Sequence, residues 1–290
     1  LKARFDEENN MLTAEKMTQA GIRIIYSIPG LKVHAKIAII IRKDTREGLQ
    51  RKHLAYLSTG NFNEKTAKIY SDIALLTAQT ELVNDINKVF AILEGRICEA
   101  TFSHLLVARF NMVPTLIEMI RREIQHVNEG RKGKIILKMN GLHDKNMINE
   151  LYNASEQGVE IELIVRGICC LVPDQPYSRN IRITRIVDMF LEHSRIVCFG
   201  NGFGLPSKKA RVFISSADWM GRNLSRRVET LIECLNETVK DQITSQVMAA
   251  TKAASALRVF ARPLASPRQN RNPRLFISAQ SMLETNFPNR

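Results

Sequence analysis

The segment Tyr56-Leu-Ser-Thr-Gly-Asn61-Phe-Asn63 returns later in the chain as Phe213-Ile-Ser-Ser-Ala-Asp218-Trp-Met220: aromatic, aliphatic, two hydroxyls, a small residue, Asn or Asp, aromatic. Each copy follows a histidine at a similar distance, Ser58 lying 24 residues after His34 and Ser215 lying 22 after His193. Each histidine has a cation two positions on, in His34-Ala-Lys36 and His193-Ser-Arg195. Side chains two apart on a strand share a face, so each half can offer an imidazole and a cation to one place. Such a duplication restricts the chain to two similar halves around a shared site. The tripeptide alone is weak, because about one match is expected by chance at this content of His, Lys and Arg. His143-Asp-Lys145 is such a match: it opens a helix, no hydroxyl-rich strand follows it, and it reads as surface. The paired spacing sets His34 and His193 apart from an ordinary hydrogen-bonded core histidine.

Around these motifs, apolar periodicity predicts helices over residues 7–20, 80–96, 106–130, 144–157 and 236–254. Strands are expected at 22–28, 32–42, 53–59, 71–77, 134–140, 159–166, 181–187, 194–199, 211–216 and 227–234. Interleaved strands and helices imply α/β layers. From Thr251 onward the composition changes: seven Lys or Arg stand against the single acid Glu284, with four of the nine prolines. That stretch reads as a basic, irregular tail.

The formal charge of +13 points to a polyanionic partner, and composition does not choose among nucleic acid, anionic membrane and a phosphate-rich substrate. No apolar run approaches the length of a membrane span and no export signal opens the chain, which suggests the cytoplasm. The chain starts at Leu1 rather than Met, as a piece of a longer protein would. Five cysteines, with no zinc-ligand spacing, fit reduced thiols better than a disulfide framework. Cys169 and Cys170 are read as buried core thiols.

Neutral imidazole is a nucleophile at neutral pH, and a fixed cation beside it steadies charge on a transferring phosphoryl group. Such transfer needs mainly positioning and electrostatics. Asp72 and Asp218 suit the orientation of a histidine or cation as well as a sheet-edge role. Tyr70 alone would be a half-buried sheet residue, Arg222, Arg226 and Arg227 a solvated cationic face, and Lys138 and Asn140 a strand end.

The duplicated pattern resembles the phospholipase D superfamily. More closely, Ala3-Arg-Phe-Asp-Glu-Glu8, Gly30-Leu-Lys-Val-His-Ala-Lys36, Ser58-Thr-Gly-Asn-Phe-Asn63, Thr66-Ala-Lys-Ile-Tyr-Ser-Asp72, Val165-Arg-Gly-Ile-Cys-Cys-Leu171, Phe190-Leu-Glu-His-Ser-Arg195 and Ser215-Ser-Ala-Asp-Trp-Met-Gly-Arg-Asn223 are similar, in order, to signatures of the bacterial polyphosphate kinases of the first type. The resemblance runs from residue 1 to about 248 and leaves out the tail.

It implies an α/β fold of two similar phospholipase D-like domains, each a mixed β-sheet flanked by helices, related by a pseudo-two-fold. The domains would span residues 1–104, N-terminally incomplete, and 105–254, with the tail at 255–290. It implies reversible transfer of the ATP terminal phosphate to inorganic polyphosphate through phosphorylated His34. His193 would assist as acid or base, with Lys36 and Arg195 beside the two imidazoles. Tyr70, Arg166, His193 and Arg222 match positions that contact ATP or polyphosphate. Arg4 matches a magnesium-phosphate position, although a guanidinium has no lone pair to ligate a cation. Magnesium is the expected metal, ATP, ADP and polyphosphate the expected partners, and a homo-oligomer with a peripheral membrane association a further expectation. A phospholipase D-like phosphodiesterase or nuclease would use the same histidines with water as acceptor. A non-catalytic nucleic-acid-binding module is disfavoured by few aromatics and the absence of a binding motif, so no nucleic acid is expected.

Overall fold

The computed structural model describes residues 7–25, 32–42, 52–187 and 189–256. Arg4 and residues 257–290 of the basic tail lie outside these, as do residues 26–28 of the first predicted strand; residues 22–25 are not in a strand.

The second half is built on a seven-stranded mixed sheet. Its order is Leu105–Val107, Thr230–Glu233, Arg211–Ser215, Arg195–Phe199, Lys134–Met139, Glu160–Val165, Ile181–Thr184. Neighbours are antiparallel as far as Lys134–Met139, which the last two strands extend in parallel. On one face sit helices Met112–Asn128 and Lys145–Glu156, whose Met112, Leu116, Met119 and Ile120, then Met147, Leu151 and Ala154, recur at helical spacing. Asp144 caps the second of these by accepting from the amides of Asn146 and Met147. Gly130, at φ 73°, lets the first helix end in a left-handed turn. Phe199 and Phe213 meet edge to face under these helices, 6.4 Å between centroids. Such a pair contributes about 1 kcal/mol beyond the area it buries.

The first half contributes a three-stranded antiparallel sheet, in the order Lys36–Ile40, Leu54–Ser58, Ala74–Thr77. Its inner residues Ala55 and Leu57, with Leu82, Ile86 and Val89 of helix Thr80–Leu93, share one core with Ile214 and Ile232 of the large sheet and with Ile243 and Val247 of helix Glu237–Ala256. The two halves therefore close on common apolar ground.

Two short parallel pairs cross between the halves. Lys32–Val33 pairs with Arg227–Val228, and Leu191–Glu192 pairs with Tyr70–Ser71. The strand leading into each histidine is thus held by the strand that follows the hydroxyl motif of the other half, the exchange a pseudo-two-fold requires.

The structure departs from the sequence expectations elsewhere too, the expected strands 71–77 and 227–234 each being two strands. The apolar run at 105–107 is a sheet strand rather than the start of a helix, which begins at Met112; three residues are too few to carry a period. The expected strand 32–42 is two strands with His34 and Ala35 in the break, and His193 stands in the same kind of break between Leu191–Glu192 and Arg195–Phe199. Finally, Cys169 is half-buried and Cys170 exposed, on a loop beside the sheet end, whereas the two buried thiols are Cys198 and Cys234. Among the described residues no helix is long and apolar enough to cross a membrane.

Candidate active site

Because each histidine sits where one sheet hands over to the other, its ring meets a carboxylate from the opposite half. His34 Nδ1 lies 2.8 Å from Glu229 Oε2. His193 Nδ1 lies 2.8 Å from Asp72 Oδ1. The backbone repeats the exchange: the amides of His34 and Ala35 donate to the Val228 carbonyl, and those of His193 and Ser194 to the Ser71 carbonyl.

The hydroxyl motif fixes both carboxylates. Thr59 Oγ1 donates to Asp72 at 2.6 Å and accepts from the Ile73 amide at 3.0 Å. Ser216 Oγ donates to Glu229 at 2.6 Å and accepts from the Thr230 amide at 3.0 Å. Gly60 is required where it stands, because a Cβ there would come within 2.4 Å of the Asp72 carboxylate. Its counterpart is Ala217, opposite the longer glutamate. Leu57 and Ser58 face Ile214, Ser215 and Ser216 across one narrow gap, so the two motif strands themselves approach.

Beside each ring stands the predicted cation. Lys36 Nζ lies 3.0 Å from His34 Nε2 and 3.2 Å from its Nδ1, and Arg195 Nη1 is 3.1 Å from His193 Nε2. Carboxylates accept and these cations only donate, so both imidazoles carry their proton on Nδ1 and a lone pair on Nε2. Burial depresses both imidazole pKa values against the pull of Glu229 or Asp72, so both rings are neutral at neutral pH. Burial pushes the Asp72 and Asp218 carboxyls up, but bonds from His193 and Thr59 to the one, and the charge and bonds of Arg195 at the other, outweigh it and hold both below the usual range.

The cations differ in their restraints. Arg195 is bound through Nε and Nη2 to Asp218 at 3.3 and 3.0 Å, and through Nη1 to the carbonyls of His193 and, across the halves, Thr59. Lys36, only 5% exposed, has no carboxylate within ion-pair distance among the described residues. Burial, with help from Arg195 and Arg227, brings its pKa down to about 7.

Of the other predicted site residues, Tyr70 lies with its ring 4.8 Å from that of His193. Arg166 donates to Asn140 Oδ1; burial and the Arg195 charge lower its pKa, with Asp218 and Tyr70 opposing. Arg222 is exposed on helix Gly221–Arg226, whereas Arg227, read as part of a solvated face, approaches Glu229 at 3.6 Å. Sequence reasoning passed over Glu229 altogether: it is fully buried within what read as one apolar strand, 227–234. The signal available was that Glu229 stands one residue after the pairing segment, as Asp72 does in the first half. His143 is exposed at the start of its helix, as expected of the control motif.

Both halves of the chain are similar to known proteins. The family described as "Polyphosphate kinase C-terminal domain 1" matches residues 1–99, and "Polyphosphate kinase C-terminal domain 2" matches residues 105–262. A polyphosphate kinase of Synechocystis is 45% identical over 232 residues, 80% of this chain and 31% of its own length. That of Escherichia coli K12 is 45% identical over 230 residues, 79% of this chain and 32% of its own length. The crystal structure of the Porphyromonas gingivalis polyphosphate kinase superposes with a TM-score of 0.78 at 55% identity, covering 87% of this chain and 37% of that one. The chain spans about a third of the length of the curated relatives it matches. With both C-terminal domains matched in order, over residues 1–99 and 105–262, the chain belongs to the polyphosphate kinase family.

Proposed function

We propose that the protein transfers the terminal phosphate of ATP reversibly to inorganic polyphosphate through a phosphohistidine on His34. The observation that carries this is the pair of neutral imidazoles, each with a carboxylate on Nδ1, a cation at Nε2, and both Nε2 lone pairs within one site. In the forward step His34 Nε2 attacks the γ-phosphorus, the bond from that phosphorus to the β-phosphate oxygen breaks, and ADP leaves. Glu229 holds the Nδ1 proton and steadies the ring as positive charge develops. Lys36, which at rest lies beside both nitrogens of the ring, turns to the phosphoryl oxygens when they arrive. A terminal polyphosphate oxygen then attacks the same phosphorus and breaks the N–P bond. His193 is the second imidazole, able to hold or return a proton at the oxygen that enters or leaves. Tyr70, Arg166 and Arg222 are assigned to the nucleotide and polyphosphate phosphates, with Tyr70 already lying against the second ring.

Magnesium would enter with the nucleotide. Among the described residues no three His, Cys, Asp or Glu side chains form a group that could hold it, and Asp72, Asp218 and Glu229 are each committed to an imidazole or a guanidinium. A cytoplasmic, homo-oligomeric enzyme with peripheral membrane contact goes with this reading.

The test is incubation of the protein with magnesium, γ-labelled ATP and polyphosphate. Label should appear on His34, be lost in acid and survive alkali, and pass into longer polyphosphate; His34→Ala should show neither. Acid-stable label, or label on the His34→Ala protein at the same rate, would sink the mechanism.

A further inference from the structure

Lys138 lies on strand Lys134–Met139, opposite Ile196 in the ladder, and is only 9% exposed. Its ammonium donates to Glu192 Oε2 and to Ser194 Oγ, the side chains immediately before and after His193. The equivalent neighbours of His34 are Val33 and Ala35, which can accept nothing through their side chains. Three lysine protons in two directions make a bracket around one residue, and among the described residues no such bracket surrounds His34.

We propose that Lys138 is a positioning residue for His193: by gripping Glu192 and Ser194 it fixes the short break in which His193 stands and keeps that imidazole between Asp72, Tyr70 and Arg195. The Leu191–Glu192 strand makes only two pairings with Tyr70–Ser71, as Lys32–Val33 does with Arg227–Val228, but the break at His193 is the one flanked by two side-chain acceptors bound to a buried ammonium. Backbone pairing alone leaves the approach to His193 weakly held, and the buried ammonium supplies the missing restraint. A buried charge pair is a poor source of stability, since desolvation offsets much of its attraction, but it does select one geometry. The role assigned to His193 rests on the function proposed above; the placement of its ring does not, and the two can fail separately.

The test uses the imidazole of His193 in the intact protein without substrate, followed by ¹³C NMR across pH and assigned with His193→Gln. Around that ring the groups that bear on its titration are Asp72, Arg195 and Lys36. In Lys138→Met the ring should loosen from its buried setting, its pKa should rise toward the ordinary value, and its line should broaden, while His34 stays unchanged as internal control. Ser194→Ala, which removes one of the two acceptors and is mild enough to fold, should move His193 less in the same direction. Lys138→Arg, which keeps the charge and the donors, should restore most of the wild-type titration. In polyphosphate synthesis Lys138→Met should lose up to about a hundredfold, the range for a misplaced catalytic group. That loss should largely vanish when measured in a His193→Gln background. An unmoved His193 titration in both Lys138→Met and Ser194→Ala would overturn the proposal, as would equal shifts at His34 and His193. If the bracket is confirmed by NMR but no synthesis is detected in any variant, the function proposal fails and the positioning role stands.

Discussion

The half-site of His34 and the half-site of His193 are made of matching bonds but restrain their cations differently. Each ring gives its Nδ1 proton to a carboxylate of the other half, 2.8 Å away, and each receives a cation at Nε2. Arg195, however, is clamped by Asp218 and two carbonyls, while among the described residues the Lys36 ammonium hydrogen-bonds only the imidazole beside it. A clamped guanidinium is a fixed wall of positive charge that an arriving phosphate cannot displace. An unpaired buried ammonium is instead a cation waiting for an anion, and it can follow a phosphoryl group as that group moves. On the function proposed above, the covalent role falls to the His34 side, where the movable cation is, and the supporting role to the His193 side.

The same asymmetry extends into the packing, and here the largest effect is expected. Phe213 and Tyr56 occupy equivalent positions in the repeat, yet Phe213 is buried to 1% under two helices, while Tyr56 is half-buried against the exposed Phe62. Phe213→Ala should cost about 3–5 kcal/mol in urea unfolding. Tyr56→Ala should cost about 1 kcal/mol. Equal losses would mean that the first-half sheet face is as deeply covered in the whole protein as the second.

The carboxylates give the next comparison. Glu229→Gln keeps the shape but loses the anion behind His34, and labelling of His34 should slow by about a hundredfold. Asp72→Asn does the same behind His193, and should leave labelling within about tenfold while slowing transfer onward to polyphosphate. Rapid-quench measurement of the two steps separates them. The opposite pattern would exchange the roles of the two histidines.

The smallest effect is in pH. Because burial lowers the Lys36 pKa to about 7, its charge is present below that pH and is lost as pH rises through it. Polyphosphate kcat/KM should then fall about tenfold per pH unit on the alkaline side. On the acid side protonation of His34, whose pKa is also lowered, removes its lone pair only below the ordinary imidazole range. Lys36→Arg, which stays charged, should erase the alkaline limb. A limb that persists belongs to another group.

Much of this was legible in the chain because its signals are local. Apolar residues at helical spacing announced the helix over 145–156, and the hydroxyl motif announced the strands at 54–58 and 211–215. The distances from His34 to Ser58 and from His193 to Ser215 announced that two imidazoles serve one site. What could not be read was local in space but distant along the chain. Glu229 meets His34 across 195 positions and Asp72 meets His193 across 121, and no periodicity carries that information. Cys169 and Cys170 looked like core residues because an apolar neighbourhood in sequence says nothing about whether a loop lies under a helix or at the mouth of a sheet. Nor could composition say that Asp218, 23 residues away, would be spent on Arg195 while Lys36 was left without a carboxylate among the described residues. The sequence by itself determined the duplication, the imidazole–cation pairs and the hydroxyl strands, because strand pleat and residue spacing put those side chains on one face whatever the fold does next. Only the tertiary structure decided which carboxylate stands behind which histidine and which cation remains movable. Those depend on how two sheets share a core and exchange short strands, and burial there sets both the tautomer of each ring and the charge on Lys36.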